Sequence, residues 1–272
     1  MSLSSHRERG FTLVEAIAVI AITGVIAAAV AVFIRSPVMG YVDTARRMEL
    51  ADAANTATRR IGRDLRLALP NSVRVASTAS TAAVEFLLVR SGGRYRAEPD
   101  GSGGGDVLDF SAAADGSFDV LGPGVAAAAG DQVVVYNLGI AGADAYAGDN
   151  RRAYAGATAT VANIAFAPTA APFPLASPSQ RFQVVEGPVS YICDTTARTL
   201  TRYWGYPVTA IQGNPPAGGS SALIAGDVED CTITYDPLVV AYRAGLVTLR
   251  LTIRRDGEAV SLYHAVHVSN VP

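Results

Sequence analysis

The N-terminal region of the chain contains a long apolar run with one acidic residue near its start. Residues 10–34 read GFTLVEAIAVIAITGVIAAAVAVFI. After Glu15 this stretch carries no further charge, and only Thr23 and Gly24 interrupt its apolar character. A helix needs about 20 apolar residues to cross a bilayer. The run therefore predicts one membrane-spanning helix, which we place at residues 11–36.

The charges before the apolar run predict its orientation. Residues 6–9 read HRER, a short segment with a net positive charge. Positively charged flanks stay in the cytoplasm, so the residues after the run are expected to be exported. A secretory signal would instead end its apolar run in a small-residue cleavage site with a polar continuation, which residues 30–36 do not provide.

Glu15 requires an explanation because a carboxylate inside the hydrocarbon costs about 2.5–3.5 kcal/mol on insertion scales. Acids at such depth seldom persist without a partner. One interpretation is therefore a carboxylate that has a partner inside the membrane. The alternative is a glutamate at the headgroup boundary that only marks the end of the span.

Residues 10–15, GFTLVE, followed by an apolar helix, resemble the class III leader of type IV pilins and of type II secretion pseudopilins. The resemblance implies a cytoplasmic leader at residues 1–10. A prepilin peptidase would cut it off between Gly10 and Phe11 and methylate the new amine of Phe11. The resemblance also implies that Glu15 neutralises the amino terminus of a neighbouring subunit when helices stack into a filament.

Two further positions bear on the resemblance to pilin anchors. Gly24 matches a glycine common in these anchors, where close helix packing favours small residues, although a merely tolerated glycine is the alternative. Many major pilins carry a proline at the place of Val32, whereas here Pro37 follows five residues later. The resemblance therefore implies nothing about melting of this helix on assembly.

The helix is predicted to continue beyond the membrane as an amphipathic segment over residues 37–69. Its apolar residues recur at spacings of three and four, which is the period of one helix face. They are Leu50, Ala54, Ala57, Ile61, Leu65 and Ala68. Pro70 is expected to stop the helix.

From residue 70 onward the pattern changes to strands, which predicts a β-rich head over residues 70–272. Apolar and polar residues alternate in residues 247–254, and Asp256-Gly257 predicts a hairpin turn into a last strand. Further strands are predicted at 84–89, 107–110, 132–138, 181–185, 189–193, 199–203 and 231–235. Loops are predicted at 98–106, 141–157, 167–179 and 212–221. The fold class is therefore α+β, a type IV pilin-like long helix packed on a mostly antiparallel sheet.

Composition excludes several kinds of chemistry. The chain has no lysine, which removes Walker phosphate loops and Schiff-base lysines. Residues 70–272 hold thirteen Arg against eighteen acids, so nucleic-acid binding is disfavoured. His264 and His267 stand three apart on one predicted strand and point to opposite faces, so they cannot share a metal. We predict no enzymatic activity and no cofactor.

Three groups of side chains in the head remain open. Cys193 and Cys231 predict a disulfide if the compartment is oxidising, or else two buried thiols. Loop acids are weak calcium candidates without EF-hand spacing, the alternative being solvated carboxylates. They are Asp100, Asp106 and Asp109, and a second cluster of Asp227, Glu229 and Asp230. Tyr203, Trp204 and Tyr206 suggest a sugar-stacking surface, with packing as the alternative.

Several segments of the head resemble the O-type minor pilins of the mannose-sensitive haemagglutinin (MSHA) pilus, the MshO type. These segments are residues 68–74 (ALPNSVR), 187–193 (GPVSYIC), 200–206 (LTRYWGY) and 266–272 (VHVSNVP). In that family both cysteines stand at comparable places. The resemblance implies a low-abundance subunit of a bacterial inner-membrane assembly that initiates or caps a pilus.

The implied partners are prepilin peptidase, other major and minor pilins, an inner-membrane assembly platform and the lipid bilayer. The implied location is the inner membrane with a periplasmic head, and the pilus tip or cell surface after assembly. Alternatives are a minor pseudopilin of type II secretion and a tip adhesin that binds a surface ligand through its loops. A membrane-tethered periplasmic enzyme is the last alternative.

Overall fold

The structure is a computed structural model that describes residues 10–240 and 244–272, with the backbone alone at 35–39 and 238–240. Within this part of the chain it contains one helix and fourteen strands. Helix α1 runs over Leu13–Leu65. The strands are β1 Arg74–Ser77, β2 Thr81–Tyr95, β3 Ser117–Leu121, β4 Val125–Ala127, β5 Gln132–Val135, β6 Arg151–Ala153, β7 Ala159–Val161, β8 Asn163–Ala165, β9 Arg181–Asp194, β10 Thr199–Trp204, β11 Ser220–Gly226, β12 Val228–Val240, β13 Ala244–Arg255 and β14 Glu258–Ser269.

The chain divides into two compact units, Met1–Glu49 and Leu50–Pro272. The first contains the apolar part of α1, and the second, called here the C-terminal unit, contains the rest of α1 and all the strands. Of the leader predicted at residues 1–10, residues 1–9 lie outside the described residues. The predicted α+β class is confirmed.

Helix α1 ends at Leu65, before the predicted end at residue 69. Ala68 forms an isolated bridge with Leu88, and the Leu69 N–H donates to the Leu87 carbonyl at 2.8 Å. The chain thus joins the sheet before it reaches Pro70, because a residue that precedes proline disfavours helical backbone angles.

The C-terminal unit contains three antiparallel sheets. The largest has nine strands in the order β11-β10-β9-β2-β3-β8, with β1 added to β2, β5 to β9 and β6 to β5. Its centre is the long pairing of β2 with β9, from Thr81 opposite Asp194 to Arg94 opposite Arg181. A second sheet has the order β12-β13-β14, and β4 pairs with β7. The C-terminal hairpin of β13 and β14 confirms the predicted turn at residues 256–257.

The first core lies between the second part of α1 and the two larger sheets. All six residues of the predicted apolar helix face are buried, at no more than 9% exposure. They share one apolar cluster with Phe86 and Tyr191 of the nine-stranded sheet and with Leu249 and Leu251 of the three-stranded sheet. Burial of a large apolar side chain contributes about 1.5–3 kcal/mol. This face therefore attaches residues 50–65 to the sheets.

A second core is built around aromatic rings of the nine-stranded sheet and its loops. Phe118 is fully buried, and its ring centroid lies 4.9 Å from that of Phe182, 6.0 Å from Phe166 and 6.1 Å from Tyr95. The Phe118–Phe182 contact is edge-to-face, which is a favoured aromatic geometry. This core stabilises the end of the sheet where β3 and β8 lie.

Most of the predicted strands are confirmed; one prediction is wrong, one strand is shorter than predicted, and two predicted strands are joined. The strand predicted at 107–110 is wrong, because the Asp109 carboxylate accepts hydrogen bonds from the Ser111 N–H and hydroxyl and holds the backbone in a turn. The strand predicted at 132–138 ends at Val135, since Tyr136 adopts a φ of 50°. The strands predicted at 181–185 and 189–193 are one continuous strand, β9.

Candidate functional site

A local cap starts helix α1. The Glu15 N–H donates to the Thr12 side-chain oxygen at 3.3 Å, and the Thr12 carbonyl accepts hydrogen bonds from the N–H groups of Glu15 and Ala16, both at 3.1 Å. Threonine followed three residues later by glutamate is a sequence typical of helix N-termini. A carboxylate in the first turn also interacts favourably with the positive end of the helix dipole. The role of Thr12 was not recognised in the sequence, although the T-x-x-E spacing was the available signal.

The helix surface that follows is apolar and uncovered. Leu13–Ile34 has 22 residues with a mean hydropathy of 2.9, and none of it is buried. By length and composition it is able to cross a membrane. Gly24 lies on this surface, and a Cβ added there would meet nothing within 4 Å, which leaves room for close approach of a second helix.

The predicted cleavage site lies directly before the helix. Gly10 and Phe11 are both exposed, and the space around the Gly10 Cα is open. Glu15 is also exposed, and no Arg or His in the described part of the chain forms a salt bridge with it. The peptide bond and the carboxylate are thus both open to other molecules.

Residues 5–31 match the family described as the prokaryotic N-terminal methylation motif. Over this segment the chain is similar to prepilin-like proteins. Proteins of this kind are structural subunits, and the motif implies processing by prepilin peptidase and association with other pilins. The apolar helix fits a membrane-anchored pilin, and the helix and antiparallel sheets fit the α+β pilin-like fold. No curated protein and no solved structure matches the chain.

The two cysteines of the C-terminal unit lie side by side. Cys193 on β9 is buried and Cys231 on β12 is half-buried, and both are free thiols in the structure. A hydrogen bond with Cys193, followed by burial, raises the pKa of the Cys231 thiol. The contact brings together strands of the two larger sheets, which are not hydrogen-bonded to each other.

The calcium candidates lie in separate turns. Asp100 accepts hydrogen bonds from the Ser102 hydroxyl at 2.6 Å and from the backbone N–H groups of Ser102 and Gly104, which together hold the pKa of Asp100 below its usual value. Asp106 accepts from the Ser117 hydroxyl at 2.6 Å and from Asn163 at 2.9 Å.

Asp109 has its own local partner, since the Ser111 hydroxyl and N–H donate to it and hold its pKa below the usual value. In the second cluster, Asp227 pairs with Arg255 at 2.7 Å and Glu229 with Arg254 at 2.6 Å. Among the residues that the structure describes, no three His, Cys, Asp or Glu side chains lie where they could hold a metal ion.

The histidines of β14 are not brought together. His264 is half-buried against α1, where a Cβ added to Gly62 would come within 2.7 Å of its Nε2. His267 is exposed. The glycine thus permits the close approach of the helix to β14, and His264 is a packing residue.

The three aromatic residues after β9 do not form one platform. Trp204 is half-buried, and its ring lies 5.0 Å from the Arg202 guanidinium carbon. Tyr206 is buried and shares a 2.6 Å hydrogen bond with the Ser190 hydroxyl, and burial raises the pKa of Tyr206. Tyr203 directly precedes Trp204 in the chain and faces the other side of β10 from it.

A buried carboxylate beside these aromatics was missed in the sequence. Glu85 of β2 is 1% exposed, and Arg74 donates to its Oε1 at 2.5 Å while the Ser190 hydroxyl donates to its Oε2 at 3.1 Å. Burial raises the pKa of Tyr146 nearby. The signal was a lone acid inside the apolar run of residues 82–89, which requires a partner when buried.

Proposed function

We propose that this chain is a minor pilin of a type IV pilus of the MSHA kind, of the O type, that initiates or caps the filament. It acts mechanically and not as an enzyme. The proposal rests on the uncovered apolar helix Leu13–Ile34, which begins at a single carboxylate directly after the exposed Gly10-Phe11 bond. The segment resemblance at residues 187–193, 200–206 and 266–272 supports the MSHA type.

In the proposed sequence of events, the helix first holds the subunit in the inner membrane, with residues 1–10 in the cytoplasm and the head in the periplasm. Prepilin peptidase then cuts after Gly10 and methylates the new amine of Phe11. The Glu15 carboxylate of one subunit meets the freed amine of another, since opposite charges in a low-dielectric core attract strongly. Partner subunits are then selected by surfaces of the C-terminal unit.

The decisive experiment compares Glu15→Ala with the wild type in the bacterium that makes the protein. We expect mass spectrometry to find the same methylated Phe11 terminus in both, and immunogold labelling of sheared filaments to find several-fold less of the variant. Asp52→Ala is the matched control, since Asp52 is an exposed acid of the same helix. A mature protein that begins at another residue, or normal incorporation of the Glu15→Ala subunit, would contradict the proposal.

Deletion of the gene separates the related functions. Loss of fibres supports the pilus assembly role. Loss of exported enzymes with fibres intact would assign the chain to type II secretion as a minor pseudopilin. Loss of attachment with fibres and secretion intact would make it an adhesin.

A further inference from the structure

The nine-stranded sheet has an opening where strand β9 changes partners. One edge of β9 pairs with β2 throughout. The other edge pairs with β5 over residues 182–185 and with β10 over residues 189–194. Glu186, Gly187 and Pro188 lie between these two partners, and no described strand pairs with them on that edge.

The local backbone keeps this opening from closing. The register between β2 and β9 shifts so that Leu88 faces Gly187 while Val89 faces Val185, which leaves Glu186 as a bulge residue. Gly187 has a φ of 140°, a conformation that favours glycine. Pro188 has no N–H to donate to a further strand. A groove of about 660 Å³ results, which is within the usual range for small-ligand sites.

The charged side chains of the groove neutralise one another. Arg90 donates from Nε to the buried Asp131 carboxylate at 2.7 Å, and its NH1 lies 3.5 Å from Glu186. On the other wall, Arg202 donates to Asp64 at 2.9 Å. Inside the groove both arginines are therefore paired with a carboxylate, and both carboxylates are paired with Arg90. Arg151, which donates to the Ala145 carbonyl and the Gln132 side chain instead, lies only at the rim. A charged ligand is disfavoured on both counts.

A peptide strand is also disfavoured as the ligand. An added strand binds through a row of main-chain N–H and C=O groups along a sheet edge. Only three residues of β9 are open here, and one of them is a proline. The ligand must therefore bind mainly through side chains.

The side chains that remain offer flat apolar rings next to hydrogen-bonding groups. Trp204, Pro188 and Pro207 line the groove with ring surfaces. The Glu186 side chain is 41% exposed, so its carboxylate is able to accept hydrogen bonds from a ligand. Trp204 is half-buried, and no described residue accepts a hydrogen bond from its indole N–H. Such a combination suits a molecule with apolar C–H faces and a rim of hydroxyl groups.

We propose that the groove between β5 and β10 binds a neutral saccharide of one or two rings. A sugar face packs on Trp204, and hydroxyl groups donate to Glu186. The loops at 141–157 and 167–179, which the sequence suggested as ligand contacts, contribute to the groove only where Arg151 reaches its rim. The proposal is independent of the role in filament assembly.

The chain provides its own reporter, because Trp204 is its only tryptophan. We would titrate the full mature chain, in a detergent without a sugar headgroup, with maltose, cellobiose and diacetylchitobiose. We expect a saturable change in tryptophan emission with at least one of these probes. Glu186→Gln should weaken that binding roughly tenfold, which corresponds to loss of one charge-assisted hydrogen bond. Saturation-transfer NMR should show the loss of binding in Trp204→Ala.

Tyr263→Ala is the matched control, since Tyr263 is an aromatic residue of β14 that is 68% exposed and does not line the groove. It should bind the probe like the wild type, and thermal unfolding should show that every variant is folded. Absence of binding to all three neutral probes would overturn the proposal. So would binding that Glu186→Gln leaves unchanged, or a preference for a sialylated glycan or a peptide over every neutral probe.

Discussion

The Asp64 carboxylate of helix α1 accepts a 2.9 Å hydrogen bond from the Arg202 Nε of strand β10. The same Asp64 oxygen accepts a 2.8 Å hydrogen bond from the Tyr191 hydroxyl of β9. The Asp64 and Arg202 side chains are only 16% and 12% exposed. Burial, followed by the hydrogen bond to Asp64, raises the pKa of Tyr191. The contact joins the polar margin of the helix to the sheet on which its apolar face packs.

We expect Asp64→Asn to destabilise the C-terminal unit by about 2 kcal/mol. The substitution removes the charge that satisfies the poorly exposed Arg202 guanidinium, and an unpaired buried charge is costly. Denaturant unfolding of the full chain measures the effect. Asp52→Asn, at an exposed acid of the same helix, should change the free energy of unfolding by less than about 0.5 kcal/mol. Equal effects of the two variants would show that the Asp64 contact contributes little.

Gly62→Ala should destabilise the protein although alanine is the better helix former. The new Cβ would lie 2.7 Å from His264 Nε2 and 3.2 Å from Val266 Cγ2, so either these side chains must move or the helix and β14 must separate. We expect a loss of about 1–2 kcal/mol, as for other overpacked sites. In a His264→Ala background the same change should stabilise by up to about 1 kcal/mol, the helix-propensity gain. A double-mutant cycle without such coupling would contradict the close approach.

Cys193 and Cys231 should form a disulfide when the protein matures outside the cytoplasm. The bond would close a loop of 38 residues, counted as 231 minus 193, and stabilise the fold by about 4 kcal/mol on the chain-entropy model. Mass spectrometry after alkylation without reductant should find neither thiol labelled. Reductant should lower the melting temperature of the wild type and leave that of Cys231→Ser unchanged. Full labelling of both thiols in protein isolated from the periplasm would contradict the bond.

Lowering the pH should reduce the thermal stability of the protein through the Asp119 carboxylate. The Asp106 N–H at 3.0 Å, then Asn163 and Arg96, hold the Asp119 pKa below its usual value of 3.8. A carboxyl with a depressed folded-state pKa contributes stability above its unfolded pKa, and this is lost as the pH falls through the folded pKa. Between about pH 6 and pH 3, the melting temperature should therefore fall by a few degrees more in the wild type than in Asp119→Asn. Asp256→Asn, at an exposed turn, should show the same fall in melting temperature as the wild type. If the melting temperature changes equally with pH in all three proteins, the role of Asp119 is refuted.

Local patterns in the sequence predicted the elements of this fold well. The three- and four-residue spacing from Leu50 to Ala68 predicted the buried helix face, because one helix face repeats with that period. The alternation of apolar and polar residues at 247–254 predicted the hairpin of β13 and β14, because successive side chains of a strand point to opposite faces. The errors at 107–110 and 136–138 occurred where side-chain hydrogen bonds or a residue with a positive φ interrupt the backbone pairing between strands. Neither feature changes the hydrophobic pattern.

The sequence by itself determined the apolar anchor, its single acid, the prepilin-type motif and the period of each long element, because all of these depend on neighbours within a few turns of the chain. Only the tertiary structure decided that Asp64 meets Arg202, that Cys193 meets Cys231 and that β9 changes partner from β5 to β10. These contacts join segments that are distant in the chain, and which strands pair is set by packing of the whole sheet on the helix. The groove beside Trp204 exists only because two strands diverge there, which no local pattern encodes.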